Sequence, residues 1–141
     1  MARSEMKVRV NSSAVGIDGE AMNAAATSNF IETQDASELT IKFKTATRVA
    51  FTAIHFTVSW YGTSEGSPTA YNSLGGSAAQ DGTNTVTTLE PDKYTRTTSA
   101  TVTGECFSIP VKDRFCKIVA SSTAGDATDL IYVELTIIKT A

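Results

Sequence analysis

Between Arg48 and Tyr61 the chain reads RVAFTAIHFTVSWY, its most strongly apolar run. β-Branched and aromatic residues dominate it, Thr52 and Thr57 lie inside it and Gly62 ends it. That combination favours a strand over a helix. Read as one long central strand, the run carries an internal conflict. Val49, Phe51 and Ala53 form the apolar set at its start, whereas Ile54, Phe56, Val58 and Trp60 form it at the end. Alternate side chains of a strand lie on opposite faces, so the buried face changes partway along. Such a change requires a bulge, a bend between two sheets, or burial on both faces. Trp60 and Phe56 are the expected core anchors, since truncating such a residue to Ala typically costs roughly 3–5 kcal/mol.

Other segments alternate in the same way. Met6, Val8 and Val10 are separated by Lys7 and Arg9, as in a short first strand at an edge. Leu39, Ile41 and Phe43 alternate with Glu38, Thr40, Lys42 and Lys44, the pattern of a half-buried strand. Arg114–Ser121 sets Phe115, Lys117 and Val119 against Cys116, Ile118 and Ala120, and the closing stretch Leu130–Lys139 places Ile131, Val133, Leu135 and Ile137 on one face. Thr85–Leu89, the Thr-rich Tyr94–Thr103 and Cys106–Val111 add further strands, with Pro110 excluding a fully paired central position for the last. Asn11–Glu20 carries turn residues, and Ala21–Ser28 fits a short helix and an extended strand equally well. Seven to nine strands joined mostly by short turns predict an all-β, antiparallel β-sandwich of jelly-roll type.

The 141 residues suit one domain, 1–141, with an N-terminal strand and arm over 1–28 and a long loop over 62–84. That loop is either a surface excursion or an arm that orders against a neighbour. Charged residues make up only 19%, and Thr, Ala and Ser are the most frequent types, in keeping with strands rather than helices. A net charge of -3 with scattered basic residues gives no electrostatic case for nucleic acid. The opening MARSEMKVRV has charges where an export signal has its apolar core, and no run reaches membrane-spanning length. A cytosolic product without membrane association is therefore expected.

Chemistry is sparsely signalled. His55 is the single histidine and lies in the central strand, where a satisfied or half-exposed ring is expected. Nothing around Ser59, Cys106 or Cys116 resembles a nucleophile motif, so no enzymatic activity, cofactor or catalytic residue is expected. Cys106 and Cys116 read as two half-buried thiols, although a hairpin could pair them in a disulfide. Asp81 with Asn84, or Asp126 with Asp129, could contribute to a calcium site, but turn formation explains them better. Trp60, Tyr61, Tyr71, Tyr94 and Tyr132 could build a sugar platform, although such residues more often pack a core or rim an interface.

The stretch SNFIETQDASELTIKF (Ser28–Phe43), the turn Asp81–Asn84, FSIPVKDRFCKIVASSTAG (Phe107–Gly125) and IYVELTIIK (Ile131–Lys139) together resemble small β-sandwich virion proteins of tailed bacteriophages. The resemblance covers Ser28 to the C-terminus and departs at the long loop. It implies a virion structural component that binds the major capsid protein and reinforces the capsid, often as homotrimers at local threefold positions, without a cofactor. A receptor- or carbohydrate-binding module of a tail or fibre is the alternative. Candidate partner contacts are the exposed, adaptable segments: Met6, Val8 and Val10 on the first strand, Tyr71 and Leu74 in the loop, and Tyr94 and Arg96 in the Thr-rich strand.

Overall fold

The computed structural model describes residues 5–65, 68 and 92–140. Its elements in chain order are β1 (Glu5–Val10), α1 (Ser12–Val15), β2 (Asp18–Ala21), β3 (Ala26–Thr27), β4 (Ile31–Glu32), β5 (Ala36–Thr45) and β6 (Ala53–Tyr61), followed by β7 (Asp92–Thr97), β8 (Glu105–Pro110), β9 (Phe115–Thr123) and β10 (Leu130–Thr140). One antiparallel sheet has the order β1-β10-β5-β8, with β2 also on β10; the other runs β3-β9-β6-β7, with β4 also on β9.

These pairings nest. β1 pairs β10, β3 and β4 pair β9, β5 pairs β8, and β6 pairs β7. The chain is thus one long antiparallel ribbon wound on itself until β10 meets β5 and β9 meets β6. That winding is the jelly roll expected from the alternating pattern.

The two inner faces supply the core. Across the β5–β10 ladder, Leu39 lies opposite Ile137, Ile41 opposite Leu135 and Phe43 opposite Val133, and all six are buried. From the other sheet come Ile54, Phe56, Val58 and Trp60 of β6, with Cys116, Ile118 and Ala120 of β9. The indole N–H of Trp60 donates to Asp92 Oδ2 at 2.9 Å, so the buried ring keeps a polar partner.

The central run is not one strand. Its ladder begins at Ala53, and residues 48–52 form an irregular approach in which Phe51 is buried while Val49 stays exposed. Asp129 explains the break. Its carboxylate, itself fully buried, accepts from the backbone N–H groups of Val49, Ala50 and Phe51, and from that of Asp126 at 3.0 Å. The side chain thus takes the place of a strand partner for three successive amides. The change of buried face is a bend, one of the three solutions open to the sequence.

Other expectations need adjustment. Asn11–Glu20 is not all turn: Asn11 caps α1 by accepting from Ala14 N–H at 2.9 Å, Gly16 closes that helix at φ 91, and β2 follows. Within Ala21–Ser28 the extended form prevails at β3. β3 and β4 are two pieces of one strand along β9, interrupted where the hydroxyl of buried Ser28 takes the N–H of Ile118 at 2.8 Å. The Thr-rich strand ends at Thr97 rather than Thr103, because Val102 turns inward and pairs with Thr45 instead. Gly125 sits where a Cβ would lie 2.2 Å from the Met22 carbonyl oxygen, so no side chain fits there. The predicted strand Thr85–Leu89 and most of the 62–84 loop lie outside the described residues.

Candidate functional site

Among the described residues, jelly-roll winding leaves β7 and β8 as edge strands of different sheets on the same side of the sandwich. Their inward-facing residues meet there. Tyr94 of β7 packs on Phe107 of β8 with ring centroids 4.7 Å apart, and Phe107 lies 5.5 Å from Phe56 and 6.4 Å from Phe43. One step along, Arg96 Nε donates to both carboxylate oxygens of Glu105, at 2.9 and 3.2 Å, and Nη2 donates to Oε1 at 3.1 Å. These residues, with Lys93, Thr95 and Cys106, line a cleft of about 630 Å³. Its floor is aromatic and its rim is a locked ion pair.

The electrostatics follow from this placement. Burial, followed by the negative charge of Asp92, pushes the Tyr94 hydroxyl above its ordinary pKa, so the phenol stays neutral and able to donate. Lys112 Nζ lies 2.6 Å from Asp92 Oδ1, which ties the β8–β9 connection to the start of β7. A smaller hollow of about 380 Å³ lies on the outer face of the first sheet, where Lys42 is 3.8 Å from Glu134 and Lys44 Nζ sits 5.1 Å from the Tyr132 ring centre.

The residues proposed from sequence as partner contacts fall into two separate places. Met6, Val8 and Val10 lie on β1, at the edge of the first sheet farthest from β8. Val8 and Val10 are half-buried against the core, while Met6 is 54% exposed. Among the described residues β1 pairs only with β10, so its other backbone edge has no strand beside it. Tyr94 and Arg96 lie on the opposite side, where both are held by β8. Tyr71 and Leu74 lie outside the described residues.

Sequence reasoning missed Phe107, Glu105 and Cys106 as members of one cleft with Tyr94 and Arg96. The signal lay in topology alone, since only the nested pairing of the ribbon brings β7 beside β8. The cysteine expectation also changes: Cys106 is exposed on β8, Cys116 is buried on β9 in the other sheet, and both are free thiols. Burial pushes the Cys116 thiol up to about 12. His55 is half-exposed, with Nδ1 3.0 Å from Thr95 Oγ1 and Nε2 2.8 Å from Thr123 Oγ1, so both ring nitrogens are engaged as expected of a satisfied histidine. Asp129 is committed to backbone amides, which argues against the calcium role considered for it. Among the described residues no group of three or more His, Cys, Asp or Glu side chains is placed to hold a metal ion. No helix among them is long and apolar enough to cross a membrane.

No protein-family model matches the chain, and no curated protein matches it. Among solved structures it is similar to the SPBc2 prophage-derived protein YomS, at 11% identity and a TM-score of 0.47, over 99% of this chain and 98% of that one. It is also similar to the PRD1 vertex protein P5, at 11% identity and TM-score 0.44, over 96% and 95% of the two chains. A third, from Bacillus endospore appendages that form disulfide-linked pili, has 15% identity and TM-score 0.42, over 99% and 91%. Similarity at this level is too distant to identify a family or to transfer a function.

Proposed function

We propose that the chain is a non-enzymatic virion structural protein, a decoration or cement protein that binds the outside of a capsid lattice through β1. The edge of β1, which among the described residues pairs only with β10, carries this reading. An edge strand with an unpaired ladder can extend a neighbouring sheet by backbone hydrogen bonds. Lys7 and Arg9 on the solvent side are the kind of charges that discourage indiscriminate pairing. The jelly roll supports the reading by analogy only, because this winding recurs in capsid proteins and lectins alike. The resemblance of Ser28–Phe43 and the two closing strands to phage virion proteins points the same way.

On this reading the partners are the major capsid protein and further copies of this chain, with a closed trimer giving many weak contacts a combined avidity. Met6 offers the most direct test. It is 54% exposed, so Met6→Asp is expected to leave stability within about 0.5 kcal/mol. Occupancy on particles should nevertheless fall at least tenfold. Unchanged occupancy with Met6→Asp would remove β1 as the attachment strand.

A further inference from the structure

We propose that the cleft between β7 and β8 is a binding site for a neutral oligosaccharide. Its volume, about 630 Å³, lies within the roughly 300–1,000 Å³ that small-ligand sites occupy. Its walls have two chemistries side by side. Tyr94 and Phe107, both half-buried and tilted 34° to one another, form an apolar surface made of ring faces and edges. Arg96 and Glu105 sit at the rim, already fixed by three mutual hydrogen bonds.

The ion pair decides the class of ligand. Its charges cancel, so it has no net attraction for an anion or a cation. Yet a guanidinium has five N–H donors and a carboxylate about four acceptor positions. The bonds to Glu105 and from Nη1 to the Thr97 carbonyl leave donors and acceptors unused on both groups. A purely apolar ligand would strand them, at the usual penalty for buried unpaired polar groups. A sugar ring matches both walls at once: its C–H face lies on the aromatic rings, while neighbouring hydroxyls both donate and accept at the rim. The neutral Tyr94 hydroxyl adds a donor. Because Arg96 and Glu105 are held before binding, little ordering is needed when the ligand arrives.

The site does not depend on the proposed attachment, but the two are geometrically compatible. β1 and β8 are separated by three strand spacings, roughly 14 Å, at opposite edges of one sheet. Docking through β1 would leave the cleft open, and many copies would turn weak single-site affinity into avidity.

The test uses the whole chain with hexamers of glucose, mannose and N-acetylglucosamine, titrated by calorimetry. The expected result is saturable binding of at least one hexamer with a Kd of about 1 mM or tighter. Arg96→Gln and Glu105→Gln should each weaken binding about tenfold at an unchanged melting temperature, because an exposed pair contributes little to stability. Absence of binding by all three hexamers overturns the proposal. So does binding that neither variant weakens, or calorimetric binding of an extended peptide but of no sugar, which would assign the cleft to a protein partner.

Discussion

Asp129 shows how a single side chain can end a strand. Burial alone would raise the pKa of its carboxyl, but the backbone N–H groups of Asp126, Val49, Ala50 and Phe51 overcome that and hold it below the ordinary value. A carboxylate whose folded pKa is depressed contributes stability that is present above its unfolded pKa, near 3.9, and is lost as pH falls through the folded value. Asp129→Asn should therefore destabilise the protein by about 2–3 kcal/mol at neutral pH, since charge-assisted hydrogen bonds are lost and an amide NH₂ confronts N–H donors. Urea unfolding should show that the variant loses less stability than the parent as pH falls from about 5 to about 2. Equal pH dependence in the two proteins would contradict this account. The thiols supply an independent check on side-chain placement. A thiol reagent should titrate one cysteine in the folded chain, Cys106, and two after unfolding, because burial lifts the Cys116 pKa to about 12.

At the scale of elements, the junction of β3 and β4 depends on a hydroxyl. Ser28 Oγ accepts from Ile118 N–H and donates to the Asn29 carbonyl, both at 2.8 Å. Ser28→Ala would leave a buried amide unpaired and should cost about 1–3 kcal/mol in chemical denaturation, whereas a purely space-filling role predicts a much smaller loss. Much of the strand pattern was readable because period-2 alternation is a local property: β5 and β10 bury the sets that begin at Leu39 and Ile131, whereas of the two alternating sets of β9 only the structure shows that Cys116, Ile118 and Ala120 are the buried one. What remained hidden was set by partners distant in sequence. Residues 48–52 look like strand until Asp129, about eighty positions later, claims their amides. The β7–β8 cleft was half visible through Tyr94 and Arg96, but Phe107 and Glu105 join them only through the winding of the ribbon. The place of β1 at the edge of the first sheet, among the described residues, was anticipated from Met6, Val8 and Val10, since charged solvent-facing positions on a short strand mark an edge locally.

In the whole molecule, the proposed attachment strand β1 and the proposed recognition cleft between β7 and β8 lie on opposite sides of the sandwich. The separation follows from the nested ribbon, which makes β1 and β8 the two edges of one sheet. The central claim is that this chain covers a capsid lattice in high copy, and the most direct measurement is its abundance in purified particles from a producing culture. Peptide mass spectrometry against the major capsid protein should give a copy number approaching that of the capsid subunits, as repeated attachment at local threefold positions requires. A handful of copies per particle would contradict decoration and place the chain in a tail or fibre, and its absence from particles would contradict a virion role altogether.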